Sequence, residues 1–395
     1  MEIVVLRGAK ALEPFVAAWQ DLADGACEPN VFYEPWMVLP ALEALSPSPA
    51  PEFHLIFAPG RGPDSAKPQL CGLFPLVRGR RYKGMNTPFL RMWKHLYCAI
   101  CTPLLRRGHE VEAFNALLEF LSSRRRGATL LEMQYVSGDG PFGRAQVEVF
   151  GERGTTTFIE DIWTRAMLRP EAGTTGEEYL KAGMSGKRRK EFRRKENRLA
   201  EHGAVTYTEL ERETDPGAEL ERYISEFLRL ESSGWKGETG SAFLCNPAHE
   251  QFFRTIVTQA HTRGRLMLAT LRVGGEAIAA KCDFLAGTGA YAFKIGFDEQ
   301  YARYSPGVLL EMEGVRQLHQ NSKLRWMDSC AAPNHPMINR LWLERRTLQT
   351  VVIATGRGRG ELVVAGLPML RYLKRAARRA LGRAPQPTLA DRSEP

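Results

Sequence analysis

The sequence predicts an α+β fold built from two tandem units, and three observations carry that prediction. The chain has 395 residues, 44% hydrophobic and 25% charged, enough apolar material for two ordinary cores without disulfide or metal staples. The second half reads as hairpin, strand, helix, strand, helix, strand. That antiparallel-rich order is not the strict βαβ alternation of a dinucleotide-binding domain. Between the halves, residues 137–144 collect Gly138, Gly140, Pro141 and Gly143, the composition of a surface connection. We therefore place a first unit at 1–150, a second at 151–365, a basic amphipathic helix at 366–383, and a polar, Pro-rich tail at 384–395 that is expected to be disordered.

The elements follow from periodicity. Residues 2–6 read as an edge strand. Phe15, Val16, Trp19 and Leu22 recur at helical spacing over 14–22. A more apolar helix is expected at 31–45, strands at 53–58 and 69–77, an amphipathic helix at 111–121, and strands at 130–136 and 156–163. A helix begins near 176 and runs into a basic stretch. Residues 265–273 and 276–285 form a hairpin across Gly274-Gly275, a pair that tolerates the positive φ of a tight turn. A strand at 291–297 leads to a helix at 306–318, with Val308, Leu309, Met312 and Val315 on one face. A strand at 324–328, a short helix at 335–343 and an apolar strand at 347–354 complete the order. The glycines at 356, 358 and 360 alternate with arginines and read as a hairpin turn, not a phosphate loop.

A formal net charge of +9 favours anionic partners: a polyphosphate cofactor, an anionic membrane surface or nucleic acid. Seven scattered cysteines argue against a disulfide framework and for a reducing compartment. Cys98 and Cys101 form a lone C-x-x-C with no second pair and no histidine set, so two half-buried thiols are expected and no metal site. The first residues lack the basic region, apolar stretch and cleavage site of a signal peptide, and no run of about 18 apolar residues occurs. A cytoplasmic location is expected, with peripheral attachment to the inner membrane left open. No G-x-G-x-x-G follows a strand, and no Walker A motif is present.

Four segments carry candidate chemistry. In Tyr304-Ser305-Pro306-Gly307, Ser305 suits an N-cap and Pro306 the first helical position. The amides of Gly307, Val308 and Leu309 would then face outward at the positive end of the helix dipole, an anion site with Arg303 beside it; a capped helix without ligand is the plain alternative. Glu231 and Lys236 flank Trp235 in a Gly-rich loop, either a pocket wall or a capped turn. Residues 187–198 hold eight Lys/Arg against two Glu. Such a run is either a solvated face or a site for cofactor phosphates, anionic lipid or nucleic acid. Over residues 367–383, Leu370, Leu373, Ala377 and Leu381 share a helical face against Arg371, Lys374, Arg375, Arg378, Arg379 and Arg383, the pattern of an interfacial helix on anionic lipid or of a terminal helix docked on its own domain.

Residues 176–348 resemble the CelD-like, FemAB-related branch of the GNAT acyltransferase superfamily. The resemblance rests on four stretches in order: residues 186–203 (GKRRKEFRRKENRLAEHG), 231–240 (ESSGWKGETG), 297–310 (FDEQYARYSPGVLL) and 328–342 (DSCAAPNHPMINRLW). The first half is similar only in pattern. The resemblance implies two GNAT-like units, the N-terminal one degenerate. It also implies a thioester or aminoacyl donor and an amine acceptor.

On that resemblance no cofactor is held, and acyl-CoA is a co-substrate whose pyrophosphate would sit on Arg303, Ser305, Gly307, Val308 and Leu309. The usual Gln/Arg-x-x-Gly-x-Gly/Ala pattern is altered, with Pro306 and Val308 replacing small residues. The donor's pantetheine would lie beside strand 291–297, where a backbone N–H could stabilise the developing oxyanion. Tyr301 and Tyr304 are candidate acids for the departing thiolate. Glu231, Asp283, Asp328 and His335 are candidate bases for the amine, and Trp235, Lys236 and Lys294 candidate acceptor contacts. The leading expectation is an N-acyltransferase using acyl-CoA or acyl-carrier protein, with a membrane lipid amine such as a sphingoid base as acceptor, as in bacterial ceramide synthases. The alternatives are a FemAB-type transferase using aminoacyl-tRNA, the one reading that requires nucleic acid, and a non-catalytic polysaccharide-assembly protein of the CelD type.

Overall fold

The structure, a computed structural model, describes residues 1–60, 68–123, 128–211 and 217–380; the expected tail at 384–395 and the end of the preceding helix lie outside the described residues. Along the chain run β1 (Glu2–Arg7), α1 (Ala9–Leu12), α2 (Val16–Asp24), α3 (Pro35–Ala44), β2 (Glu52–Ala58), β3 (Gln69–Gly79), β4 (Phe89–Met92), β5 (Leu104–Leu105), α4 (Glu110–Ser122), β6 (Leu130–Ser137), α5 (Pro141–Arg153) and β7 (Thr157–Leu168). They are followed by α6 (Gly176–Gly183), α7 (Gly186–Leu199), β8 (Val205–Glu209), α8 (Ala218–Ser232), α9 (Trp235–Glu238), α10 (Pro247–Thr262), β9 (Leu266–Val273), β10 (Glu276–Ala286), β11 (Gly289–Phe297), α11 (Pro306–Gln320), β12 (Trp326–Asp328), α12 (Ile338–Leu341), β13 (Glu344–Ala354) and α13 (Arg359–Ala380). The chain forms two compact units, one of Met1–Thr164 with the residues from Arg346 on, the other of Arg165–Arg345.

One order of strand pairing occurs in both units. In the first, β1, β2, β3 and β4 form an antiparallel meander, and after α4 the chain returns as β6, parallel to β4. In the second, β8, β9, β10 and β11 repeat the meander, and after α11 the chain returns as β12, parallel to β11. Each unit thus has four antiparallel strands, a crossover helix and a parallel fifth strand. The β9–β10 hairpin turns on Gly274 (φ 58) and Gly275 (φ 93), two consecutive left-handed positions that side-chain-bearing residues occupy at a cost.

The first core is aromatic: Trp19, Trp36, Phe53, Phe74, Phe114 and Phe142 are buried, with Phe74 and Phe114 stacked 6.2 Å apart. The second is mostly aliphatic and includes Leu180, Leu271, Leu309, Val315 and Leu318 around the fully buried Trp342. Cys98 and Cys101, expected half-buried, are fully buried with their sulfurs 3.9 Å apart.

The structure departs from the expected elements in three places. Residues 141–153, read in part as a connection, form α5. Its glycines mark tight packing: a Cβ on Gly143 would lie 2.6 Å from the Gly138 carbonyl oxygen, and one on Gly140 would lie 2.4 Å from Glu28 Oε2. The glycines at 356–360 lead from β13 into a helix, not into a second strand, and that helix begins at Arg359, earlier than 366. Residues from Arg346 group with the first unit, although those up to 365 were expected in the second. The cause is pairing and burial: β13 is antiparallel to β6, and Val364 and Leu367 join Tyr82, Phe89, Leu130 and Val352.

Candidate active site

β11 and β12 pair for only three residues, from Gly289↔Trp326 to Tyr291↔Asp328. β11 then runs on to Phe297 while β12 ends at Asp328. Alternation along β11 sends Lys294 to one face and Ile295 and Phe297 to the other. On the latter face sits the start of α11: a Cβ on Gly307 would meet Phe297 and Ile295 carbons at 3.5 and 3.6 Å.

The helix start differs from the expected cap. Ser305 is left-handed (φ 57, ψ 54), and its side chain makes no capping bond to the helix. Its carbonyl instead accepts from the amides of Val308 (3.0 Å) and Leu309 (3.1 Å). Those two amides are therefore engaged. Pro306 has none, and the Gly307 N–H has no protein acceptor among the described residues. The Ser305 hydroxyl accepts a hydrogen bond from Lys195 Nζ at 2.9 Å. Lys195 belongs to α7, the basic helix. The Arg303 guanidinium stacks 4.8 Å from the Tyr304 ring centroid. One amide donor, one hydroxyl and the Lys195 ammonium, itself paired with Glu191 at 3.4 Å, thus lie at the positive end of α11, a geometry that suits an anion.

Tyr304 is buried beneath this point, its hydroxyl 2.7 Å from His202 Nε2. The His202 ring also meets Tyr304 and Tyr301 edge-on, at 5.6 and 6.2 Å. Residue-by-residue reasoning had not singled out Lys195 or His202. Lys195 lies in the 187–198 charge run read as a candidate site for cofactor phosphates, and both lie in the 186–203 stretch that carries the resemblance.

On the opposite face of β11, the buried Glu231 of α8 is ion-paired with Lys294 (3.5 Å) and accepts from the Phe243 amide (3.0 Å). Lys294 also lies 4.8 Å from the Phe243 ring centroid. Contact between α8 and β11 is close: a Cβ on Gly296 would lie 2.7 Å from both N and Cα of Glu231. The structure therefore brings Glu231 and Lys294 together but separates them from Tyr304 and the α11 tip by the strand. Trp235 and Lys236 open α9; their side chains lie outside the described residues.

Asp328 is fully buried and gripped at both oxygens by Arg165, at 2.7 and 2.8 Å. Its Oδ1 also accepts from the Cys330 amide (2.9 Å). Both of its oxygens are thus engaged within the protein. His335 is half-buried, and its Nδ1 accepts from the Ile338 amide at 3.3 Å, a cap for α12. Asp283 lies on the α11 side of β10, where the buried Lys281 contacts both Asp283 (3.3 Å) and Glu311 (2.8 Å). Burial pushes the Asp283 carboxyl up to about 7, the Lys281 charge opposing and the Glu311 charge adding.

The corresponding crossover helix of the first unit is built differently. α4 carries Glu110 and Glu112 in its first turn, where α11 has no acidic residue. Two carboxylates at the positive helix end cancel the dipole and repel an anion, which is a physical reason to regard that unit as degenerate.

The second unit is thus a four-strand meander, a crossover helix and a parallel fifth strand, with Lys195 at the helix start. Residues 186–335 match the family model described as an acetyltransferase (GNAT) domain, a span containing α7, β11, α11 and β12. The second unit carries a GNAT acyltransferase domain, and both units share the GNAT-like order of strands. Among solved structures, it is similar to FemX at 9% identity and a TM-score of 0.53, covering 89% of this chain and 97% of that one. It is also similar to a conserved protein of unknown function from Bacteroides thetaiotaomicron, at 9% identity and a TM-score of 0.51, covering 86% and 96%. Compared by sequence with curated proteins, it matches none.

Proposed function

We propose that the protein is an N-acyltransferase that takes its acyl group from acyl-CoA, or from the phosphopantetheine of an acyl-carrier protein, and delivers it to the amine of a membrane lipid, a sphingoid base being the leading acceptor. The observation that carries this reading is the Lys195–Ser305 contact at the start of α11, beside the end of the β11–β12 pairing. Donor phosphates would rest on the Gly307 amide, Ser305, Lys195 and Arg303. The pantetheine arm would follow β11 beyond Tyr291, with a backbone amide there meeting the thioester oxygen as it gains charge.

The amine nitrogen attacks the thioester carbonyl; a C–N bond forms and the C–S bond breaks. Tyr304, oriented by His202, would give its proton to the leaving thiolate, and Glu231, on the α8 face, would take the proton that the amine nitrogen sheds as the C–N bond forms. Asp328 then acts as a positioning group for the end of β12, and His335 as a cap for α12. A lipid acceptor requires work at a membrane face, and the excess of cations suits an anionic one.

The test is direct. Purified protein with a long-chain acyl-CoA and sphinganine should release free CoA and yield an N-acyl product by mass spectrometry. No CoA release with any amino-lipid tested would remove the lipid acceptor.

A second reading has its own observation. Lys187, Lys190, Arg193, Arg194 and Arg198 of α7 are exposed, a surface that would suit the acceptor arm of an aminoacyl-tRNA. Binding of tRNA that falls steeply with salt, together with transfer from aminoacyl-tRNA and none from acyl-CoA, would favour it.

A further inference from the structure

α13 is docked on one side and apolar on the other. Val364 and Leu367 are buried against the first unit, and Arg371 on the same side donates to the Glu160 carbonyl. The outward side carries Leu362 (76% exposed), Met369 (67%), Tyr372 (70%) and Leu373 (54%). Spacings of three and four residues place these side chains, with the exposed Ala365 and Ala376, in one stripe. A solvated helix presents its polar face outward, and this one presents its apolar face. Beyond Glu361 the helix has no acidic residue, and residues 371–379 hold five cations. Near its docked side Lys83 is ion-paired with Glu160; burial, opposed by the Glu132 charge and aided by those of Lys374, Arg371 and Arg91, pushes its ammonium down.

We propose that the outward stripe of α13 is a docking surface for an anionic lipid bilayer, with the helix lying in the plane of the interface and not crossing it. Charge decides the occupant. A second copy of this chain would bring the same five cations against these, whereas anionic headgroups complement them. Nucleic acid would leave the apolar stripe in water. No described helix is long and apolar enough to span a membrane, and an amphipathic helix of this kind binds at the headgroup boundary. The proposal goes beyond the acyl-transfer reading and does not depend on it.

The experiment is co-sedimentation of the full chain, without donor or acceptor, with vesicles of phosphatidylcholine alone and of phosphatidylcholine with phosphatidylglycerol. Binding is expected to the anionic vesicles and to weaken with salt. The double variant Met369→Glu/Leu373→Glu should lower partitioning at least about tenfold, since each large apolar side chain withdrawn from water contributes on that scale. Its melting temperature and its CoA release on a water-soluble amine should be unchanged. Lys374→Glu should weaken binding to the anionic vesicles alone. The proposal is overturned by no binding to anionic vesicles, by undiminished binding of the double variant, or by a concentration-dependent dimer that the double variant abolishes.

Discussion

Lys195 Nζ and Ser305 Oγ meet at 2.9 Å across 110 residues of sequence, so the basic helix touches the start of α11. One member of the charge run is thus engaged with the helix start, while Lys187, Lys190, Arg193, Arg194 and Arg198 remain exposed.

Replacing Lys195 by Met removes a charge-assisted contact worth roughly 1.5–3 kcal/mol where it also meets a ligand phosphate. We expect KM for acyl-CoA to rise at least about tenfold, with a smaller change in kcat and a shallower salt dependence. Steady-state kinetics at two ionic strengths check this, and an unchanged KM would move the donor phosphates elsewhere.

Tyr304→Phe should lower kcat by about 10²-fold with KM for the donor nearly unchanged, the scale of a lost general acid. His202→Gln should fall between the variant and the parent, because it leaves the hydroxyl in place but loosens its aim. Equal activity in all three proteins would leave Tyr304 a packing residue.

Gly296 within β11 and Gly307 at the start of α11 should respond oppositely to Ala. At Gly296 the new Cβ meets the backbone of Glu231 at 2.7 Å, which cannot yield without moving α8. A loss of about 1–3 kcal/mol in unfolding free energy is expected. At Gly307 the nearest atoms lie at ordinary contact distance, so Gly307→Ala should fold normally. If the donor approaches that backbone, its KM alone should rise. Thermal melts with donor titrations separate the two cases.

Stability should depend on pH through Asp283. Burial raises this carboxyl to about 7, from 3.8, so the folded chain binds its proton more tightly than the unfolded chain. Between about pH 4 and 7 the folded state therefore holds the extra proton, and the contribution is lost as pH rises through that window. Asp283→Asn should flatten this slope, leaving Lys281 paired with Glu311. Denaturant unfolding at pH 5 and pH 8 measures it.

Much of the architecture was legible because periodicity is local. The β9–β10 hairpin, α11 and β12 stand where spacing and the Gly-Gly turn placed them, whereas β8, α8 and α10 were not read from the sequence. What sequence spacing could not show is long-range contact. Gly140 and Gly143 resemble loop residues, yet they are glycine because Glu28 and Gly138 press against them. Ser305 has the composition of a cap, but its left-handed backbone turns the hydroxyl to Lys195 instead. Asp328 has the type and place of a base, but the partner that engages it, Arg165, lies 163 residues away.

The acidic first turn of α4 has a stoichiometric consequence. If donor phosphates rest on Lys195, Ser305 and Gly307, the duplicated pairing order still leaves one receptive copy, because Glu110 and Glu112 oppose an anion at the start of α4. Calorimetric titration with CoA should therefore saturate at a single equivalent per polypeptide. Charge reversal at Glu110 and Glu112 would then ask whether the silent copy has lost only its electrostatics or the shape of its cleft as well.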